Sequence, residues 1–512
     1  MMRKRSLKLL ISCIFISVIG VTYAAIQAYT KNIKVDFENV RKQAEVLSHK
    51  AYQPASSSVP KKLLDFTYDQ HRDIRFTPDK AIWKDQDLPF NLQFFHPGFI
   101  FNKPINVYET DSRSTARIPF SKSLFNYGKN DVSKITIPET MGFSGFRIHY
   151  PLNKSEYFDE LTVFQGASYF RVLAKGLHYG ISARGLAINS GGPESEEFPI
   201  FTDFWIEKPK PNDSTITLYA LLNSPSVAGA YQFIIHPGEK TEVDVKLSLF
   251  FRNSVDVLGV APLTSMFWYG ENSENRPVDF RPEVHDSDGI LMQTGSGEWL
   301  WRPLVNDSKM RAASFEDTNP KGFGLFQMDR NFDHYSDLEA FYHMRPSVWI
   351  QPIGDWGKGH IRLIELPTAD ETNDNIVSYW IPDKKTQKGD VLNLQYKMTW
   401  LGDAPQWPPA GKPISTRWSA IPKKSREKRV IIDWSGEKLN SLGADHMLDA
   451  LTSIQGGAII TEKVLQKNPI DGTWRLMLRL KFDEVRSPVE LRCFLKEGND
   501  ILTTTWTYLL NP

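Results

Sequence analysis

Over long stretches the chain alternates apolar and polar residues in short runs, and none of these runs keeps a helical period. The clearest runs are 90–95, 105–108, 143–150, 168–172, 215–222 and 242–251. A period of two fits a strand with one buried face. Gly, Pro, Asn or Asp interrupt the runs about every ten residues, which is the spacing of an all-β sandwich or barrel. One segment departs from this. Phe37, Val40, Ala44, Leu47 and Ala51 recur near 3.6 residues with charges between them, predicting a helix over 37–52 that covers a sheet face. No internal repeat of fixed period stands out.

At 512 residues the chain has room for two or more domains. A formal net charge of +1 leaves no electrostatic footprint for nucleic acid. Aromatics make up 12%, with 14 Trp, and large aromatic faces serve both cores and sugar rings.

The N-terminus reads as an export signal over 1–24. Arg3, Lys4, Arg5 and Lys8 precede an apolar stretch over 9–21, followed by Thr22-Tyr23-Ala24-Ala25. The stretch is too short to span a bilayer comfortably. A twin-arginine pair is missing, so general secretion is expected, with the periplasm as destination. Loss of this segment takes the net charge from +1 to −3. Cys13 would leave with it, and Cys493 would then be the sole cysteine, so no intramolecular disulfide is expected.

Composition changes after Trp400. Residues 403–429 carry five Pro and end in Lys423-Lys424-Ser425-Arg426-Glu427-Lys428-Arg429, which predicts an exposed connector between a large unit, 25–402, and a small one, 430–512. In the small unit strands are expected at 430–433, 458–464, 474–482, 489–494 and 502–509, a spacing that fits an immunoglobulin-like sandwich.

Two acidic turns carry the chemistry. Pro367-Thr368-Ala369-Asp370-Glu371-Thr372-Asn373-Asp374-Asn375 lies between the apolar runs 361–366 and 376–380. His285-Asp286-Ser287-Asp288-Gly289 precedes the aromatic strand Glu298-Trp299-Leu300-Trp301-Arg302. Two carboxylate turns beside tryptophans suit a glycosidase, which needs an acid, a base and flat apolar faces. Asp-rich turns also form simply because Asp bonds its own backbone. Trp299, Trp301, Trp349, Trp356 and Trp380 flank these turns; at least half of them are expected in the core, and some of the first four along a sugar-binding groove. Tyr342 and Arg345 form a candidate clamp, or close a loop. Gly354-Asp355-Trp356-Gly357-Lys358-Gly359 reads as a hairpin turn with an exposed Trp rather than a phosphate loop. The histidines show no metal-ligand spacing, so neither metal nor cofactor is expected. No nucleophile elbow is present.

At this point the chain resembles the periplasmic glucans biosynthesis proteins of the G and D type, which serve the osmoregulated periplasmic glucans of Gram-negative bacteria. The likeness runs from about residue 36 to the C-terminus. It is carried by Gly166-Ala-Ser-Tyr-Phe-Arg171, Gly180-Ile-Ser-Ala-Arg-Gly-Leu-Ala-Ile188, Gly259-Val-Ala-Pro-Leu-Thr-Ser-Met-Phe267, His285-Asp-Ser-Asp288, Gly297-Glu-Trp299, Asn319-Pro-Lys-Gly-Phe-Gly-Leu325, Trp356-Gly-Lys-Gly359 and Glu371-Thr-Asn-Asp-Asn-Ile-Val377. The signal resembles the G branch more than the D branch. The resemblance implies a mutarotase-like β-sandwich followed by an immunoglobulin-like domain, acting on a β-1,2-linked glucan backbone. It also implies an inverting endo-β-1,2-glucanase. Asp374 then falls on the general acid and Asp286 on the base, with Asp288 as the alternative base. Tyr342 and Arg345 fall on substrate contacts, and Glu371 lies close to the acid. The rival reading is a non-catalytic glucan-binding protein that guides the polymer to an inner-membrane glucosyltransferase. A mutarotase is a weaker third reading, since no His is seen paired with a Glu.

Overall fold

The computed structural model describes residues 30–31, 34–54, 57–274, 276–403, 410–422, 424–483 and 488–512. The expected export segment, with Cys13, lies outside the described residues. Two large antiparallel arrays face each other across one core. The first runs in spatial order through Ile200–Glu207, Ile216–Asn223, Val227–His236, Thr241–Phe251, Val391–Leu401, Ser347–Ile353, Gly322–Phe326, Gly289–Gln293 and Trp299–Pro303. The second runs through Arg311–Thr318, Lys358–Glu365, Ile376–Pro382, Leu258–Ser265, Ser182–Arg184, Tyr169–Val172, Tyr157–Gln165, Gly145–Lys154 and Asn91–Phe95. The alternation read from the sequence is the burial pattern of these strands. In Thr241–Phe251, Val243, Val245, Leu247 and Leu249 point into the core while Asp244 and Lys246 between them lie half-buried and Ser248 is covered.

Aromatics lock the two layers. The ring of Phe164, from the second sheet, lies edge-on 5.2 Å from Phe204 and 5.4 Å from Phe233, both of the first. Phe170 meets Phe233 at 5.3 Å. Each buried Phe contributes about 1.5–3 kcal/mol through the water it sheds, and these rings belong to the one large core shared by both sheets. The all-β sandwich expected from the sequence is the fold observed.

The helix forms over Phe37–Ser48, shorter at its end than the apolar repeat suggested. Asp36 caps its start, accepting from the Asn39 amide at 3.0 Å. Arg252 closes the other end by donating to the carbonyls of Leu47 at 2.9 Å and Lys50 at 3.2 Å. The apolar stripe Phe37, Val40 and Ala44 packs on Trp205, Tyr219, Ala228, Ala230 and Phe250, the outer face of the first sheet.

The C-terminal strands are not a separate appendage. Thr505–Leu510 runs parallel to Trp299–Pro303, with Leu300 opposite Thr505 and Trp301 opposite Trp506. The first sheet thereby continues into Val489–Glu497 and Asp449–Gln455. Against it lies a four-stranded sheet of Lys412–Ile421, Lys424–Ser435, Trp474–Phe482 and Ala458–Lys467. The expected connector over 403–429 is thus corrected, since two strands occupy most of it, while 404–409 lie outside the described residues. The prolines that suggested a connector are compatible with a strand, because Pro413 sits near its start and Pro422 just past its end. The strand Asp449–Gln455 was not legible because only Ala450 along it is buried.

Candidate functional site

Residues 264–267, at the end of the strand Leu258–Ser265, organise the site. Thr264 Oγ1 donates to Asp374 Oδ2 at 3.4 Å. Two residues on, the carbonyl of Met266 accepts the Asp286 amide at 2.8 Å. Phe267 then holds Asn375, donating its amide to the Asn375 Oδ1 at 2.8 Å and accepting Nδ2 at 3.0 Å. One short stretch of backbone therefore fastens both acidic turns. Asn375 also donates to the Leu366 carbonyl at 2.9 Å, closing the loop that joins Lys358–Glu365 to Ile376–Pro382. Its amide is buried and fully used, so it fixes where Asp374 emerges.

Asp374 is 36% exposed and lies 3.9 Å from Arg171 Nη2. Asp370 does not join it. Its carboxylate accepts from the Thr372 hydroxyl at 2.5 Å and from the Thr372 amide at 2.9 Å, local turn bonds that hold its pKa below the usual range. Glu371 turns the other way. Its Oε2 accepts from Tyr342 Oη at 2.8 Å and from Arg281 Nη1 at 2.7 Å. Arg281 in turn holds Asp337 at 2.9 Å and Asp279 at 2.9 Å.

Asp286 is 7% exposed, although its turn is made of polar residues. Ser287, beside it, is bonded inward to Ser265 Oγ. Burial pushes the Asp286 carboxyl up, Arg345 holds it back, and the charge of Asp374 raises it further. Arg345 Nη1 stands 3.5 Å from Asp286 Oδ1, and that oxygen has no hydrogen-bond partner among the described residues. Tyr342 and Arg345 do come together, with the guanidinium 5.2 Å from the ring centroid. Both are committed inward: Arg345 also donates to the carbonyls of Ala340, at 3.1 Å, and Tyr179. Gly180 leaves the space for this, since a Cβ there would meet Arg345 at 3.1 Å. Asp374, Asp286, Tyr342, Arg345 and Glu371 thus share one neighbourhood.

Asp288 does not. Its Oδ2 accepts from the amides of Met328, at 2.9 Å, and Asp329, at 3.1 Å. Burial, with Asp329 alongside, raises its carboxyl to about 7. It faces a different cavity, with Glu283, His285 and Asp329.

The tryptophans also fall elsewhere. Trp301 and Trp349 are 4% and 3% exposed and pack in the C-terminal core with Trp506. Their indoles lie flat where any Cβ at Gly289 or Gly322 would collide, which is why those strands carry glycine. Trp299 is half-buried and stacks on Trp349 at 5.5 Å. Trp356, expected on an exposed turn, is buried and donates to the Gln395 carbonyl at 3.2 Å. These four therefore serve packing, not the groove. The absence of a His–Glu pair is corrected as well. His285 Nε2 lies 3.1 Å from Glu283 Oε2, but His285 is wholly buried and out of a sugar's reach.

Sequence reasoning missed Thr264, Arg171, Arg281 and Asp337. Arg171 and Thr264 stood in motifs that could have marked them, Arg171 at the end of Gly166–Arg171 and Thr264 within Gly259–Phe267, whereas Arg281 and Asp337 stood in none.

The family model described as "Periplasmic glucan biosynthesis protein, MdoG" matches residues 35–510. The chain is 43% identical to "Glucans biosynthesis protein G" of Ralstonia nicotianae over 484 residues, 93% of this chain and 95% of the relative. It is 41% identical to "Probable glucans biosynthesis protein D" of Shewanella oneidensis over 475 residues, 92% of this chain and 87% of the relative. A match of this length shows that the chain belongs to the MdoG family of periplasmic glucan biosynthesis proteins, and it is a periplasmic protein with a role in making such glucans.

Proposed function

We propose that the protein acts on the β-1,2-glucan backbone as an inverting endo-β-1,2-glucanase, with Asp374 as general acid and Asp286 as general base. The observation that carries this reading is the shared anchoring of two carboxylates from separate turns by residues 264–267. Inversion needs a protonated carboxyl at the leaving oxygen and a carboxylate that takes a proton from water on the opposite face. Asp374 is the accessible member and reaches the glycosidic oxygen of a bound chain. Asp286 is the enclosed member. Its unpartnered Oδ1 is free to accept a proton, and Arg345 at 3.5 Å favours the charged form it must start from. Because Asp286 is buried, a water or a sugar hydroxyl relays the proton to it. Tyr342, Arg345 and Glu371 shape the wall between the two groups.

The burial of Asp286 also favours the second reading, a glucan-binding protein without turnover that passes the polymer to an inner-membrane glucosyltransferase. The anomeric configuration of the first-formed product separates the readings. Proton NMR of the reaction on linear β-1,2-glucan gives the α-anomer first for an inverting enzyme. A β-anomer first means retention, and no product leaves the binding reading.

A further inference from the structure

Behind the turn that carries Asp286 lies a second cluster that the glucan chemistry does not use. Glu283, His285 and Asp329 each bring one ligand atom to within 4.8 Å of the others. His285 Nε2 is 3.1 Å from Glu283 Oε2. His334 Nδ1 is 3.2 Å from Glu283 Oε1 and 3.4 Å from Asp329 Oδ1. Bonds of about 2.0–2.1 Å to a tetrahedral zinc place neighbouring ligand atoms roughly 3.3 Å apart; the His285–Glu283 and His334–Asp329 contacts are close to that length, and Glu283 turns one oxygen to each histidine.

The tautomer of His285 is set from outside the cluster. Gln327 Nε2 donates to the carbonyls of His285, at 2.9 Å, and Tyr342, at 3.2 Å. Its Oε1 therefore faces His285 Nδ1, at 2.8 Å, and that nitrogen must carry a proton. Nε2 is the nitrogen turned to the carboxylates. A ring held through its other N–H by an amide oxygen is the usual support of a metal-ligating histidine. Asp288 adds an independent observation. Its Oδ1 is buried without any hydrogen-bond partner among the described residues, and Asp288 lines the same cavity as Glu283, His285 and Asp329. That cavity is about 30 Å³, enough for one ion or one water. Its far wall is Pro413, Ile414, Ser415 and Thr416 of the C-terminal sheet.

We propose that Glu283, His285, Asp329 and His334 form a four-ligand site for one zinc-class divalent cation that braces the turn of Asp286, with the unpartnered oxygen of Asp288 on the same cavity. Two imidazoles with carboxylates favour zinc over the oxygen-seeking calcium or magnesium. Spacing along the chain gave no hint of metal, because the fold assembles the site from two short pairs, Glu283 with His285 and Asp329 with His334.

The test uses the whole mature protein, stripped with EDTA, dialysed against zinc(II) at neutral pH and freed of excess metal. Elemental analysis is expected to find one zinc per chain, and zinc but not calcium is expected to raise Tm. His334→Gln, whose side chain is 33% exposed, is the variant expected to fold with a native circular dichroism spectrum. It is expected to lose zinc affinity by about tenfold or more. A cobalt(II)-loaded wild type should show ligand-field absorption that His334→Gln lacks or shifts. Failure of the wild type to retain zinc overturns the proposal, because the imidazoles would then simply be protonated partners of the acids. Zinc retained equally by wild type and His334→Gln, with identical cobalt spectra, overturns it as well. Neither readout depends on glucan cleavage.

Discussion

The hydroxyl of Tyr342 donates to Oε2 of Glu371 at 2.8 Å and so ties the short turn at 342–344 to the loop that presents Asp374. The phenol is pushed well above its ordinary pKa, first by burial and then by this bond, so it stays a donor at any physiological pH. Tyr342→Phe keeps the ring under Arg345 and removes only that tie. Loss of a hydrogen bond to a charged group costs about 1.5–3 kcal/mol, so Tm is expected to fall. Cleavage of β-1,2-glucan is expected to drop by roughly tenfold, or about 1.4 kcal/mol in the barrier. Turnover equal to wild type would show that the bond does not position the acid loop.

Asp286 and Asp288 are two residues apart but look into different spaces. Asp286→Asn is expected to reduce glucan cleavage by at least on the order of a hundredfold, with the fold retained. Asp288→Asn is expected to leave turnover within a few fold and to change stability instead, since its Oδ2 holds two backbone amides. Steady-state rates for the two variants decide the matter, and a reversed ranking would move the base to Asp288.

Trp301 is a packing residue. Trp301→Ala removes an indole from the C-terminal core and is expected to cost about 3–5 kcal/mol, seen as a lower urea midpoint. Glucan affinity by calorimetry should stay near wild type at low temperature, where the variant is folded. A stable variant with lost affinity would return the tryptophans to the groove.

His96 gives a pH-dependent stability. Burial lowers its pKa from 6.5 to about 4, partly opposed by its bond to the Pro97 carbonyl. The folded state refuses a proton that the unfolded chain accepts near pH 6.5, so stability falls as pH drops from there towards 4. The integrated loss is about 3 kcal/mol in order of magnitude. Urea midpoints at pH 7 and pH 4.5 should drop further for wild type than for His96→Gln. Equal drops would mean that other groups dominate acid sensitivity.

The sandwich was legible because strand alternation is local. Val243, Val245, Leu247 and Leu249 declare their face within one segment. The acidic turns were legible too, as clusters between apolar runs. What could not be read was direction. Trp301 and Trp349 sit beside the acidic turns in sequence, yet a strand sends neighbouring side chains to opposite faces, and their face meets the C-terminal unit. Asp286 reads as solvated because Ser and Asp surround it, but Ser287 bonds inward to Ser265 and the turn is covered. Thr264 and Arg171 escaped notice since each meets Asp374 only through long-range contact.

The central claim is that Asp374 delivers a proton to a β-1,2-glucosidic bond. Its most direct measurement is the release of reducing ends from linear β-1,2-glucan by wild type and Asp374→Asn side by side, at matched glucan saturation. The account predicts steady release by wild type and a loss of at least on the order of a hundredfold in the variant, with glucan affinity retained. Wild type that binds the glucan but releases no reducing ends above the blank, or a variant that cleaves at the wild-type rate, would contradict it.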